Sequence, residues 1–274
     1  MKKLLFSVII PCFNRATSLY LTLESCLQQS FSSYEVIIID DCSTEDIKTI
    51  FVEYKEKFQT LKNVNLRYFR LEANGGPSKA RNFAWEKSEG EYLAFLDSDD
   101  LWHPEKLNIC AFFIDKVQPK CLYHNYSDNP NHMDEVIDSS LFRTNWKNTF
   151  SGLIKNYSTT PSFIVFRSIS ARFNESMRFN EDYDLWLRLS FTNRILSISG
   201  PPLTILGRPP SSPGGLSEHK IKMRLGEMKM YTNICREHTL ISPILPILII
   251  LSILKHLYAT LRFFYSSLFS IVQK

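Results

Sequence analysis

Metal-binding and disulfide patterns of cysteine are missing from this chain. Its six cysteines, Cys12, Cys26, Cys42, Cys110, Cys121 and Cys235, are scattered without a C-x-x-C pair or a Cys/His ligand spacing. A zinc site or a disulfide framework is therefore unsupported, and a reducing, cytoplasmic setting fits best. Long runs of like charge are missing too, and the formal net charge is only +4. A dedicated nucleic-acid binder concentrates its basic residues on one face, so no nucleic-acid partner is expected. Nor does any apolar run reach the ~20 residues needed to cross a hydrocarbon core. The stretch from Leu240 to Leu254 comes nearest, and Pro243 and Pro246 interrupt it. The opening run Lys2-Lys3-Leu4-Leu5-Phe6-Ser7-Val8-Ile9-Ile10 is followed by Pro11-Cys12-Phe13-Asn14 where a leader would carry small residues for cleavage. It reads as a first buried strand.

What is present is an ordinary globular composition, 44% hydrophobic and 22% charged, over 274 residues. That length suits one large α/β domain with an appendage. Three apolar runs, Ser7 to Ile10, Glu35 to Ile39 and Tyr92 to Leu96, have strand length and polar flanks. They predict buried parallel strands. Between them, Leu19, Leu23 and Leu27 fall at helical spacing within Ser18 to Gln29, and a second helical stretch runs from Thr44 to Phe58. Val64 to Leu71 predicts another strand and Ser78 to Lys87 another helix, so a βαβ rhythm builds one doubly wound sheet. Beyond Pro104 the pattern loosens into a helix ending at Val117, a polar loop from Asp128 to Asp138 and a strand at Phe163 to Phe166. Gly200 to Ser217, rich in Pro, Gly and Ser, predicts a loop suited to a lid or linker. The expected organisation is a domain over 1–215, with a nucleotide-binding half at 1–103 and an acceptor half at 104–215, and an apolar helical tail at 216–274.

In open α/β sheets, ligands bind beyond the carboxyl ends of the strands. Here those ends read Pro11-Cys12-Phe13-Asn14-Arg15, Asp40-Asp41-Cys42-Ser43 and Asp97-Ser98-Asp99-Asp100. Acids gathered at one edge repel each other unless a cation compensates, and oxygen ligands suit Mg²⁺ or Mn²⁺ bridging phosphates. Helix capping is the plainer alternative for Asp40-Asp41 and for Asp99-Asp100, and it stays open at this point.

Five motifs in order carry a specific resemblance: Ser7 to Asn14, Glu35 to Thr44, Asn74-Gly75-Gly76-Pro77-Ser78-Lys79-Ala80-Arg81-Asn82, Phe95 to Asp100, and Asn180-Glu181-Asp182-Tyr183-Asp184-Leu185-Trp186-Leu187-Arg188-Leu189. Over roughly residues 5 to 210 the chain resembles the family 2 glycosyltransferases. The resemblance implies a GT-A fold, a nucleotide-sugar donor (a UDP-sugar is expected), a Mn²⁺ or Mg²⁺ cofactor and transfer with inversion. By position, Pro11, Phe13 and Asn14 line the nucleoside pocket, Asp41 meets the base edge and Arg81 helps hold the nucleotide. Asp97-Ser98-Asp99 is the DxD motif, with Asp97 on ribose or metal and Asp99 on the ion. Asp182 is the general base and Glu181 positions it or an acceptor hydroxyl. Where the family usually has glycine this chain has Cys42, so a small non-glycine residue must tolerate that turn. Arg208 and the loop Ser211 to His219 fall where relatives place a basic segment over the diphosphate.

One carboxylate near the acceptor suffices for a single displacement, in contrast to the paired acid and base of a glycosidase. A sugar nucleotidyltransferase needs a Gly-rich basic loop after the first strand, and Pro11-Cys12-Phe13-Asn14-Arg15 offers none. A catalytically inactive nucleotide-binding scaffold is disfavoured by the presence of Asp97, Asp99 and Asp182. The apolar tail, with Lys255, His256 and Arg262 placed for headgroups, predicts an interfacial anchor on the cytoplasmic face of the cell membrane. A glycan or lipid-linked acceptor in surface polysaccharide synthesis follows as an expectation, with a tail packed on the domain or on a partner, or a tight helical hairpin entering the bilayer, as the alternatives.

Overall fold

The protein is described by a computed structural model covering residues 4–258, apart from 63, 148, 155, 157, 210, 211, 213–215 and 256. Runs of β-branched residues open the chain as strands. β1 (Phe6–Cys12) leads through α1 (Ala16–Leu27) to β2 (Tyr34–Asp40), α2 (Ile47–Lys62), β3 (Asn65–Arg70), α3 (Gly76–Lys87) and β4 (Tyr92–Phe95). There follow β5 (Leu101–Trp102), α4 (Lys106–Val117), β6 (Cys121–His124), β7 (Tyr126–Ser127), β8 (Arg143–Lys147), α5 (Thr149–Ile154) and β9 (Phe163–Phe166). The last elements are α6 (Glu181–Thr192), β10 (Ile195–Ser199), β11 (Thr204–Ile205) and α7 (Lys220–Glu237).

Eight strands form the main sheet in the order β3-β2-β1-β4-β9-β6-β10-β8. β1 pairs in parallel with both β2 and β4, so the strand order reverses at β1 and a crevice opens beyond its carboxyl end. β9 runs antiparallel between β4 and β6, and β8 is antiparallel to β10. The alternation of side chains along β1 and β2 divides the core. Val8, Ile10, Val36 and Ile38 face a cluster that includes Leu19, Leu23, Ile47 and Ile50 from α1 and α2. Ile9, Ile37 and Ile39 face Ala80, Ala84, Leu185 and Trp186 from α3 and α6. Covered on both faces, these strands are buried end to end, which is why they read as continuous apolar runs.

The expected loop from Gly200 to Ser217 is not wholly irregular. Within it β11 pairs with β5 and β7 in a second, three-stranded sheet. A two-residue strand is too short for periodicity to reveal it.

The α7 helix buries Met230, Tyr231 and Ile234 against Leu153, Met177, Tyr183 and Leu187, with Leu248 joining from a helical stretch at 245–255. Glu227 is the polar centre of that contact. It accepts from Ser252 Oγ at 2.6 Å, Lys255 Nζ at 2.9 Å, Tyr231 Oη at 3.0 Å, and the Arg224 guanidinium. Lys255 is therefore turned inward onto Glu227, not out towards headgroups, because a buried carboxylate needs a compensating cation. His256, Arg262 and most of the Leu257 to Val272 stretch lie outside the described residues. Ile247, Ile250, Ile253 and Leu254 are exposed. Among the described residues, no helix is long and apolar enough to cross a membrane.

Candidate active site

A cavity of about 610 Å³ lies beyond the carboxyl ends of β1, β2 and β4. Pro11, Cys12, Phe13, Arg15 and Asp41 line it, as do Arg81, the Asp97-Ser98-Asp99-Asp100 loop, and the segment Arg178-Phe179-Asn180-Glu181-Asp182. Of the expected site residues only Asn14 lies outside this lining. Its carboxamide oxygen instead accepts from Thr44 N at 2.8 Å and so braces the turn after β2. Phe13 lines the cavity with its ring exposed.

That turn bends sharply. Cys42 in that turn, and Asn14 in the turn after β1, both occupy the left-handed region, at φ 63° and 50°. Asparagine tolerates this conformation, whereas Cys42 holds it against its own Cβ, as the missing glycine at that position anticipates.

Both Asp41 oxygens are taken up by the start of α3, accepting from Gly75 N and Gly76 N at 2.8 Å each. A carboxylate at a helix N-terminus is favoured by the peptide dipoles, yet burial still raises its pKa. Asp41 therefore caps a helix, although α3 and not the helix directly after it. Asp40 is engaged elsewhere, accepting from Tyr68 Oη at 2.8 Å and from Arg70 Nη1 at 2.5 Å.

Arg81 links the two sides of the site. Its Nη2 donates to Asp97 Oδ1 at 2.6 Å and its Nη1 to Glu181 Oε1 at 3.3 Å, with the guanidinium 5.2 Å above the Phe173 ring. Expected to hold nucleotide, it holds two carboxylates here, while its buried Nε has no hydrogen-bond partner among the described residues. Glu181 and Asp182 occupy the first turn of α6, following Asn180 in the left-handed region at φ 57°. Asn180 is fixed from α7, where Met223 O accepts from its Nδ2 at 2.5 Å. Gly226 lets α7 come this close, since a Cβ there would lie 2.5 Å from Phe179 O.

Asp182 accepts from Tyr183 N at 2.7 Å and from Thr160 Oγ1 at 3.4 Å. Burial pushes its pKa up. Burial and the neighbouring Asp182 push Glu181 up to about 7, against the opposing pull of Arg81. Two adjacent carboxylates with raised pKa values in a cleft are what a proton-transfer site requires.

The acidic loop is gripped by a segment that follows β11. Arg208 Nε donates to Asp99 Oδ2 at 3.0 Å, and Gly207 N to Asp100 Oδ1 at 2.9 Å. A side chain at Gly207 would collide with the Asp99 carbonyl oxygen. Sequence reasoning placed Arg208 over a diphosphate but missed Gly207 and Thr160, whose roles arise only from tertiary approach. Of the loop Ser211 to His219, residues 211 and 213–215 lie outside the described residues, and His219 lines the cavity. Among the described residues no group of three or more His, Cys, Asp or Glu side chains is placed to hold an ion. Asp97 and Asp99 are nonetheless partly exposed oxygen donors in one cavity, with side chains 30% and 24% accessible. Mg²⁺-type ions take one or two protein carboxylates and complete their shell from phosphates and water, so this donor set fits such an ion.

The family model for glycosyl transferase family 2 matches residues 7–177. The chain belongs to that family, and its fold is GT-A. It is 34% identical over 198 residues to an uncharacterized glycosyltransferase of Rickettsia bellii, a match covering 70% of this chain and 27% of that one. Against the amylovoran biosynthesis glycosyltransferase AmsB of Erwinia amylovora it is 36% identical over 118 residues, 43% of this chain and 38% of that one. The crystal structure of Staphylococcus aureus TarS in complex with UDP-GlcNAc superposes with a TM-score of 0.68 at 26% identity, covering 85% of this chain and 67% of that one. TarS is a poly(ribitol-phosphate) β-N-acetylglucosaminyltransferase. The chain thus spans well under half the length of these two sequence relatives.

Proposed function

We propose that the protein is an inverting glycosyltransferase that moves a sugar from a nucleotide diphosphate sugar to a hydroxyl of a glycan or lipid-linked acceptor in surface polysaccharide synthesis. The observation that carries this reading is the single cavity in which Asp97, Asp99, Arg81, Glu181 and Asp182 converge at the sheet's switch point. The UDP-GlcNAc held by TarS and the polysaccharide role in the name of AmsB support the donor class and the pathway class.

In this reading Pro11, Phe13 and the Asp41 region hold the nucleoside, and a UDP-sugar is the favoured donor. Asp97 and Asp99 hold Mg²⁺ or Mn²⁺, which when bound supplies positive charge to the departing diphosphate. Asp182 takes the proton of the acceptor hydroxyl as that oxygen forms its bond to the anomeric carbon, and the bond to the diphosphate oxygen breaks on the opposite face. Glu181, held by Arg81, keeps Asp182 at the α6 terminus and orients the acceptor. No acid is needed for a diphosphate leaving group. Contact with the cytoplasmic face of the membrane is supported by the exposed Ile247, Ile250, Ile253 and Leu254 of the tail.

Calorimetric titration with UDP, GDP and dTDP, with and without Mn²⁺, tests the reading on wild type and Asp99→Ala. Metal-dependent binding of one nucleotide, lost in the variant, is expected. Binding of no nucleotide in any metal condition would overturn the reading.

A further inference from the structure

Four arginines line the cavity: Arg15, Arg81, Arg178 and Arg208. Arg81 is committed to Asp97 and Glu181, and Arg208 to Asp99. Arg178 differs. Its side chain is exposed, and among the described residues it has no hydrogen-bond or ion-pair partner. Glu181 stands three positions further along the chain, yet its carboxylate is held by Arg81. The cation is therefore left available in the cavity that holds the proposed base.

Its neighbours belong to the acceptor wall, not to the strand ends that form the nucleoside pocket. Phe179 follows it, with the His219 ring 6.1 Å away and Lys222 Nζ 5.9 Å from its ring centroid. Aromatic and basic groups together suit a sugar ring that carries an anion. Electrostatics argue the same way. An acceptor must bring its hydroxyl to Asp182 in a cavity where Arg81 and Arg208 are already spent on Asp97, Glu181 and Asp99, so a negatively charged acceptor finds its unengaged cation in Arg178. A neutral acceptor would make no use of an unpaired guanidinium at this place. Guanidinium matches phosphate oxygens bidentately, which a point charge cannot do.

We propose that Arg178 reads an anion on the acceptor, and that this acceptor carries a phosphate group, as a diphosphate or a phosphodiester, next to the hydroxyl delivered to Asp182. The proposal rests on the transferase reading of the cavity.

The test uses the full chain saturated with its preferred nucleotide and metal, and compares Arg178→Gln and Arg178→Lys with wild type. Calorimetry measures binding of geranyl diphosphate, of glycerophosphoglycerol and of glucuronate. Wild type binds at least one phosphate probe; which one it prefers separates a lipid diphosphate from a phosphodiester polymer. In Arg178→Gln that affinity falls about tenfold or more, as for loss of a charged hydrogen bond, and Arg178→Lys recovers part of it. Nucleotide affinity stays within about twofold of wild type, since the donor contacts are untouched. The idea fails if wild type binds neither phosphate probe, if glucuronate binds more tightly than both, or if Arg178→Gln binds the phosphate probe as well as wild type does. A loss of nucleotide affinity in Arg178→Gln comparable to the loss of probe affinity also overturns it, because the guanidinium then serves the donor. Should wild type bind no nucleotide at all, the transferase reading falls instead.

Discussion

Arg81 and Glu181, a hundred positions apart in the chain, share a hydrogen bond of 3.3 Å inside the cavity. Through it α3 is attached to the first turn of α6, the helix that carries Asp182. Because Arg81 also holds Asp97, one buried cation sets the spacing between the acidic loop and the proposed base.

Removing that cation leaves carboxylates without compensation. Arg81→Ala is expected to lower the unfolding free energy by about 3–5 kcal/mol, the cost of breaking a buried pair from one side. Denaturant melts measure this. Arg81→Lys is expected to recover less than half of the loss, since an ammonium cannot serve two carboxylates in a fixed fork.

The pH dependence has a definite sign. Glu181 is raised to about 7 in the fold from an ordinary 4.5, so the native state holds its proton more tightly than the unfolded chain does. Stability from this group is complete below the unfolded value and declines as pH climbs through 4.5 towards 7. Glu181→Gln is expected to flatten that decline in melts recorded across the range. Because the charges of the adjacent Glu181 and Asp182 raise the cost of ionising both, the acid limb of kcat/KM is expected to shift to lower pH in the same variant. An acid limb unmoved by the substitution would show that Glu181 does not share the site's proton.

Lys106, which is not in the cavity lining, supplies a second titration. Its Nζ lies 3.2 Å from the centre of the Trp102 ring and, among the described residues, has no hydrogen-bond partner. Burial lowers its pKa from 10.5 to about 7. The unfolded chain therefore binds the extra proton between these values, and this group's contribution is greatest above 10.5 and is lost as pH falls towards 7. Lys106→Met, of similar length, is expected to raise the melting temperature at neutral pH and to remove this alkaline gain.

Cys42 holds a left-handed conformation at φ 63°. Cys42→Gly is expected to stabilise the protein by about 1 kcal/mol, the Cβ penalty minus glycine's larger entropy loss. Chemical denaturation reads the change directly.

At Gly207, any side chain meets the Asp99 carbonyl oxygen. Gly207→Ala is expected to displace the acidic loop and weaken metal-dependent nucleotide binding by about tenfold, against a metal-independent component that hardly changes. Titration with and without Mn²⁺ separates the two.

Legibility in the sequence followed burial and locality. β1, β2 and β4 were readable because strands covered on both faces must be apolar throughout, and β9 because Phe163 to Phe166 is a short apolar run with polar flanks. The acidic loop and Glu181-Asp182 were readable because they sit in contiguous motifs. Arg81 was found, but its contacts with Asp97 and Glu181 were not: a motif names a residue, whereas its neighbours depend on how α3 and α6 meet. Thr160, Gly207 and the inward turn of Lys255 left no local signal, since each is defined by a contact with a distant segment.

The antiparallel β9 sets an order of events for a chain emerging from the ribosome. β3, β2, β1 and β4 come from one continuous stretch and can pair as soon as residue 95 is available. β4 then presents an open edge until β9 arrives some seventy residues later to seal it and bridge to β6. Through that interval the nascent protein carries a buried-type strand paired on one side only, the kind of edge to which other chains adhere.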